Sequence, residues 1–499
     1  MEISIILLLL ILPLAGAILS IVLSKNQGHA KYIAIGFSGA TLALALFCLY
    51  DLSSGNFIFN DSLTWVDTEF VRISFAVGID GMGMLMIALT AVLVFLVAIF
   101  SKSESDRPST FFALILAMEV GLMGVYMAAD YFLFYIFWEV TLIPMFFLIS
   151  GWGGPRRHYA AIKFFIYTHI ASLVMLIGIF MLAMEASAGG TLDFSFAAVK
   201  GASMAGLFDP TFQLIVFGML FFGFAVKMPL VPFHTWLPDA HVEAPTAGSV
   251  LLAGVMLKMG SYGIIRVCLD VLPEGAVQWQ GAMIVLALIA ILYGAYACIA
   301  QKDLKKMVAF SSISHMGMVL LGIATLTGIG IQFAIFQMFA HGLITAVLFM
   351  VCGIVGHNAG TREIPLLGGL AGKMPIFAAF MMFGFLASLG LPGLVGFVAE
   401  FGIIMAFFDY LASIDLLWPI VFALASLMLT AGYYLWAMQR TLFGKETDKI
   451  DLSNVHDVSR SEGFSLGVLC ALIALFGILP ALAMGMLEHM PLVISGVVT

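Results

Sequence analysis

Residues 221–245 read FFGFAVKMPLVPFHTWLPDAHVEAP, and their polar side chains interrupt a stretch that is otherwise apolar enough to cross a membrane. Placing Lys227 at membrane depth costs about 2.5–3.5 kcal/mol on insertion scales. Pro229 and Pro232 also remove helix hydrogen bonds that lipid cannot replace. A chain carries such costs more readily at a buried, wet site than on a wall that faces lipid. Lys227 is therefore the first functional candidate.

The composition of the chain indicates a polytopic helical membrane protein. The 499 residues are 62% hydrophobic and only 10% charged, whereas soluble domains carry about 25% charged residues. The apolar start, 3–23, is too long for a signal peptide and lacks a cationic flank, so we expect it to be the first span. The cysteines stand singly in or beside apolar runs, which favours packing roles over disulfides or a metal site; they are Cys48, Cys268, Cys298, Cys352 and Cys470.

Apolar runs of about 20 residues predict fourteen transmembrane helices, which places both termini on the same side. Asp130 alone separates the fourth run from the fifth. The expected spans are 3–23, 32–50, 80–100, 110–129, 131–150, 160–184, 213–234, 245–268, 279–299, 304–326, 331–356, 375–408, 416–439 and 464–487.

The distribution of Lys and Arg tests this topology independently. With the N-terminus outside, 16 of the 21 cations fall on the inner side and 3 on the outer side, as the positive-inside rule requires. The two remaining cations, Lys227 and Lys258, fall inside spans. The outer cations are Arg72, Lys200 and Arg266, and the inner ones are Lys25, Lys31, Lys102, Arg107, Arg156, Arg157, Lys163, Lys302, Lys305, Lys306, Arg362, Lys373, Arg440, Lys445, Lys449 and Arg460.

A second interrupted span lies at 375–408, where Pro392 stands among glycines and Glu400 follows in an apolar setting. Interrupted helices at corresponding positions are typical of repeat-built transporters with a pathway near the midplane. Counting five helices per unit predicts two inverted repeats, helices 4–8 and 9–13, with breaks in helices 7 and 12. The expected segments are 1–109, 110–268 and 279–439, followed by an inner connector with helix 14 at 440–499.

Several ionisable and polar residues lie within the predicted spans, where lipid exposure of a charge is costly. Helical spacing of four residues places Lys258 with Tyr262, Ser311 with His315, and Gln337 with His341 and Thr345. The set that we expect to face a common wet interior is Glu119, Glu139, Lys258, Ser311, His315, Gln337, His341, Thr345 and Glu400.

Structural explanations compete with functional ones for these side chains. Serine and glutamine in spans most often hold helices together, and His169 can equally be a satisfied core histidine. His234, Asp239 and His241 can serve the broken backbone near helices 7 and 8. A static buried ion pair is the alternative for the lysines and glutamates. Haem ligation by His315 and His341 is a minor alternative, because the same spacing suits a proton wire.

The residue types favour a switchable proton path. Burial disfavours the charged form of a lysine, whereas a nearby carboxylate favours it. A Glu139–Lys227 pair would therefore hold a proton when closed and release it when open. Lys258 and the histidines can pass that proton through water, with Glu400 as the terminal acceptor or gate. The driving energy must come from an ion gradient or from partner subunits.

Four motifs resemble the antiporter-like subunits of the complex I superfamily. They are the run from Lys227 to His241 with the following APTAGSV, FWEVTLIP at 137–144, KDLKKMVAFSSISHMG at 302–317, and FAHGL at 339–343. The resemblance covers essentially the whole chain and is greatest to subunit M (subunit 4) of that superfamily. Glu400 supports this assignment, since sister subunits usually carry lysine there.

This resemblance implies a proton-translocating subunit of a membrane arm, driven by quinone reduction elsewhere in the complex. It implies that Glu139, Lys227, Lys258, His315, His341 and Glu400 line the path, with weaker assignments for Glu119, His169, His234, Trp236, Asp239 and His241. It implies no cofactor or metal in this chain. Flavin, Fe–S clusters and quinone are expected on partner subunits.

The expected partners are other membrane-arm subunits, sister antiporter-like subunits among them, and membrane lipid, with no nucleic acid. The expected location is an energy-transducing membrane, crossed many times, with both termini outside. Two alternatives share most of the motifs. One is an Mrp-type cation/proton antiporter subunit, and the other is a structural spacer with an inactive channel.

Overall fold

The computed structural model describes residues 5–23, 29–53, 59–101, 106–447 and 455–487. Three cations of the predicted inner set, Lys25, Lys102 and Lys449, lie outside these ranges. Fourteen helices within the described residues are long and apolar enough to cross a membrane, which confirms the predicted number.

The spans are numbered here in chain order. Spans 1–7 are Ile5–Val22, His29–Ser53, Gly81–Phe100, Pro108–Met127, Tyr131–Trp152, Arg157–Ala186 and Pro210–Lys227. Spans 8–11 are Thr246–Leu269, Pro273–Ile299, Leu304–Ala324 and Gly328–Asn358. Span 12 consists of Pro375–Ser388 and Val395–Ser413, and spans 13 and 14 are Ile420–Thr441 and Arg460–Ile478. Spans 3, 8, 10 and 11 are the most enclosed by protein and form the centre of the bundle.

Acidic and hydroxyl side chains set where several spans begin. Asp80, Asp130 and Asp303 are N-caps of spans 3, 5 and 10, and each accepts hydrogen bonds from backbone N–H groups of the first turn. Such caps satisfy N–H groups that have no partner within the helix. Asp130 accepts from Phe132 and Leu133 at 2.8 and 3.1 Å. This single residue therefore separates spans 4 and 5 as the sequence predicted.

Both predicted interruptions are present, with bounds that differ from the predicted ones. Span 7 ends at Lys227 instead of continuing to 234, and a short helix, Trp236–Glu243, follows the break. The predicted single helix 375–408 is two helices joined by residues 389–394. Gly390 and Gly393 have φ values of 81° and 92° there, a conformation that glycine adopts without steric cost. Span 14 likewise ends at Ile478, before a short helix, Ala481–Leu487.

A small sheet accompanies the helical bundle outside the spans, and its first two strands lie between spans 2 and 3. Strand β1, Phe59–Asp67, pairs antiparallel with β2, Val71–Ile79, and β2 pairs parallel with β3, Leu192–Asp193. A register shift at Thr64/Val66 marks an irregularity in the hairpin. Hydropathy over about 20 residues does not detect strands as short as these. A helix outside the spans, Phe196–Met204, follows β3.

Candidate functional site

The centre of the site is a contact between spans 8 and 11. The Lys258 Nζ lies 2.8 Å from the His341 Nδ1 and also donates to the carbonyl of Ala253. Lys258 is 0% exposed and His341 is 2% exposed. Two π-helical turns, Leu252–Met256 and Ile264–Leu269, flank the helical turn that carries the lysine. Such turns disturb the regular ladder of backbone hydrogen bonds and are frequent at functional sites.

A second contact joins spans 10 and 12. The His315 Nδ1 lies 2.8 Å from the Glu400 Oε1, and the Gln337 amide donates to the same oxygen at 3.3 Å. His315 and Glu400 are both buried. We call Lys258, His341, His315 and Glu400 the central chain. Glu400 also lines a cavity of about 430 Å³ beside the break of span 12.

One gap divides the central chain. The His315 and His341 rings are 5.4 Å apart between centroids, and the His341 Nε2 is buried without a hydrogen-bond partner in the described residues. His315 offers it no unengaged nitrogen, because the His315 Nδ1 contacts Glu400 and the His315 Nε2 contacts Ser388. A proton can cross such a short gap through one water molecule or by ring rotation.

The predicted Glu139–Lys227 ion pair is not formed in this structure. The Glu139 Oε2 instead contacts the His169 Nδ1 at 3.0 Å. The Lys227 Nζ is buried without a hydrogen-bond partner among the described residues. It lies 5.4 Å from the centre of the Trp138 ring and 5.7 Å from that of Phe164. The aromatic faces attract the ammonium group, and Trp138 precedes Glu139 in the same helix.

Trp236 and His234 belong to the break after span 7. The Trp236 Nε1 donates to the Val226 carbonyl at 3.0 Å, which satisfies a backbone acceptor left open near the end of the helix. The His234 ring meets Tyr293 edge-on with 4.8 Å between centroids. These contacts support the structural explanation given for His234 and indicate that Trp236, too, holds the interrupted backbone in place.

His241 and Glu119 are fully buried, and neither joins a hydrogen-bonded network. The His241 ring stacks on Phe349 at 4.4 Å, and both of its nitrogens lack partners among the described residues. The two carboxyl oxygens of Glu119 likewise have no partner there. Asp239 forms ion pairs outside the central chain, with Lys163 at 2.7 Å and with Arg156 at 3.4 Å.

The charge census placed Lys305 on the inner side, in a loop or at a helix end, and the structure buries it to 2% exposure in the first turn of span 10. Its Nζ donates to the Ala244 carbonyl at 2.6 Å. It also lines a largely polar cavity of about 500 Å³ at the predicted inner end of the bundle, together with Glu243 and Arg362. The sequence did not reveal that Lys305 is buried, because it lies beside a charged loop and hydropathy does not distinguish a buried helix start from a loop end.

A further hydroxyl network was not predicted. Ser388 and Tyr434 join His315 to Ser311, and all four side chains are buried. Only the spacing of Ser311 and His315 was visible in the sequence. Tyr434 stands in the apolar span 13, where a tyrosine is ordinary, so no local signal marked it.

An ion pair ties spans 3 and 8 together at the predicted outer end. Asp80, the N-cap of span 3, contacts Arg266 of span 8. Burial by itself raises the pKa of Asp80, but the charge and hydrogen bonds of Arg266 and the Gly83 N–H outweigh it, so that the net pKa is lowered. The carboxylate is therefore held in its charged form.

Comparison with known proteins places this arrangement in a family. The family model described as "NADH:quinone oxidoreductase/Mrp antiporter, TM" matches residues 128–430. The chain is 42% identical to F(420)H(2) dehydrogenase subunit M of Methanosarcina mazei, covering 96% of each chain. It is 38% identical to NADH-quinone oxidoreductase subunit M of Rhodobacter capsulatus, covering 94% of this chain and 92% of that one.

Solved structures agree with the sequence relatives. A chain of respiratory complex I from Thermus thermophilus matches with a TM-score of 0.84 and 29% identity, covering 97% of this chain and 99% of that one. A chain of the Mrp complex from Dietzia has the same TM-score at 21% identity, covering 97% and 96%, and shows the shared fold. The chain therefore belongs to the family of transmembrane antiporter-like subunits found in NADH:quinone oxidoreductases and Mrp antiporters.

Proposed function

We propose that this chain is a proton-translocating membrane-arm subunit of a complex I-type oxidoreductase. The observation that carries the proposal is the central chain itself. Lys258, His341, His315 and Glu400 come from four different spans and meet in two contacts of 2.8 Å. Groups that hold and pass protons are thereby lined up inside the bundle, where an isolated charge would be too costly to keep without a role.

Glu139, His169 and Lys227 form the proposed switch at the other end of the path. In this structure the glutamate contacts His169 and leaves the lysine without an acceptor. Movement of Glu139 toward Lys227 would favour the charged ammonium, and the return of Glu139 to His169 would favour release of the proton. The two partners of Glu139 thus supply the two states that a pump needs.

Protons cross the membrane in this proposal without any electron transfer in the chain. We assign flavin, Fe–S clusters and quinone to partner subunits. Relatives named for NADH and for F(420)H(2) match almost the whole chain. We infer that the electron donor is determined by other subunits and that this chain contributes a proton path common to both kinds of complex.

Lys227→Ala in the assembled complex tests the proposal. Inverted membrane vesicles are driven with the native electron donor, and proton uptake is measured together with quinone-linked turnover. Lys373→Ala is the matched control, because Lys373 is an exposed lysine that pairs with Glu446. We expect Lys227→Ala to lower proton uptake at least tenfold while the control leaves it unchanged.

The reasoning fails if the Lys227→Ala complex assembles normally and pumps like the control. The same vesicles distinguish the Mrp-type alternative. Uptake driven by an imposed sodium gradient with no electron donor present would indicate a cation/proton antiporter instead. Uptake that requires the donor and is indifferent to sodium supports the proposed function.

A further inference from the structure

We propose that Ser388, Tyr434 and Ser311 are positioning residues that determine which nitrogen of His315 exchanges a proton with Glu400. This inference rests on the proposed function and adds to it the position of hydrogen on the His315 ring. It concerns the hydroxyl groups behind the histidine, on the side away from the carboxylate.

The far end of this network allows hydrogen to be donated in only one direction. The Ser311 hydroxyl lies 2.8 Å from the carbonyl oxygen of Val308, and a carbonyl oxygen can only accept. Ser311 therefore donates its single proton there. The contact of 3.0 Å between Ser311 and Tyr434 must then be donated by the tyrosine hydroxyl.

The same reasoning continues toward the histidine. Because the Tyr434 proton is committed to Ser311, the contact of 2.8 Å between Ser388 and Tyr434 must be donated by the serine. The Ser388 hydroxyl has no proton left for His315. Its contact of 3.2 Å with the His315 Nε2 is therefore donated by the ring nitrogen.

The consequence is that the His315 Nε2 keeps its hydrogen. The Nδ1, which lies 2.8 Å from the Glu400 Oε1, is then the only ring position free to lose or regain a proton. Ser388 is 3% exposed, while Tyr434 and Ser311 are 0% exposed, so bulk water does not offer these hydroxyls other partners. Partners behind a working imidazole commonly select its tautomer in this way.

The test pairs two tyrosine variants of the intact complex. Tyr434→Phe removes the hydroxyl that accepts the Ser388 proton, and the serine hydroxyl can then rotate and donate to the His315 Nε2. Tyr131→Phe makes the same chemical change in the first turn of span 5, where the hydroxyl is buried without a hydrogen-bond partner in the described residues. The imidazole ring bands in the infrared distinguish the tautomers, and subtraction of the spectrum of the His315→Asn complex isolates His315.

We expect hydrogen on Nε2 in the wild type and in Tyr131→Phe, and a new population with hydrogen on Nδ1 alone in Tyr434→Phe. Proton uptake per turnover should fall about two- to tenfold in Tyr434→Phe, the size of one net hydrogen bond. Should that variant fail to assemble, Ser388→Ala and Ser388→Thr serve instead. Alanine should lower uptake similarly, and threonine should restore it, because it keeps the hydroxyl.

Identical infrared bands in Tyr434→Phe and Tyr131→Phe would overturn the inference. Equal losses in Ser388→Ala and Ser388→Thr would also overturn it, because they would indicate packing alone. The spectra need no pumping, so failure of this inference is distinguishable from failure of the proposed function. The latter is decided by Lys227→Ala.

Discussion

Replacing Glu400 with glutamine removes the negative charge of the central chain with little change in shape. The carboxylate is 4% exposed and accepts from Gln337 at 3.3 Å, in addition to its contact of 2.8 Å with His315. A glutamine can still hydrogen bond to both neighbours. The substitution therefore isolates the charge from the packing.

The expected size of the effect follows from that short contact. A hydrogen bond to a charged group contributes about 1.5–3 kcal/mol, and each 1.4 kcal/mol is a tenfold change in an equilibrium. Loss of the carboxylate charge should therefore weaken the contact between His315 and residue 400 roughly ten- to 150-fold. If that contact lies on the proton path, proton uptake should fall by about the same factor.

The assay is donor-driven proton uptake in inverted vesicles, normalised to the amount of assembled complex on native gels. Glu185→Gln is the matched control, since it makes the same change at an exposed glutamate near the end of span 6. Unchanged uptake in Glu400→Gln at normal assembly would refute the reasoning. An equal loss in Glu185→Gln would refute it as well, because the effect would not depend on the site.

Three further results are expected. The losses of proton uptake in Lys258→Gln and His341→Asn should be strongly non-additive, because the two side chains act through one contact. The double variant should be no worse than the poorer single variant. Additive losses would contradict a path that passes through this contact. Asp80→Asn should destabilise the subunit by about 1–3 kcal/mol. This loss is smaller than the loss expected from breaking a fully buried ion pair, because about a fifth of each side chain is exposed. Since the pKa of Asp80 is lowered, the stability that this ion pair contributes is present above the ordinary pKa of aspartate and is lost as pH falls through the lowered pKa. The thermal unfolding temperatures of wild type and Asp80→Asn should therefore converge between neutral and acid pH. A difference that stays constant with pH would contradict this. An engineered cysteine at Arg157 should not react with an impermeant thiol reagent added outside intact cells. Ready labelling would contradict the expected orientation, in which both termini lie outside.

The sequence predicted the number of helices and the two interrupted spans because both depend on local properties. Hydropathy over about 20 residues reports a span wherever it occurs. Proline and glycine break helices irrespective of distant neighbours. The cost of burying a charge marked Lys227, Lys258 and Glu400 as candidates before any contact was known.

Tertiary structure alone decided which of these groups touch. Glu139 contacts His169 rather than Lys227, and helical spacing cannot reveal this, because it depends on how neighbouring helices are rotated and on which face each presents. Tyr434 reaches His315 only through a serine on another span. Partners in a helical bundle are set by packing between segments distant in sequence. The sequence therefore determined which residues can carry a proton, and the fold decided the order in which the proton meets them.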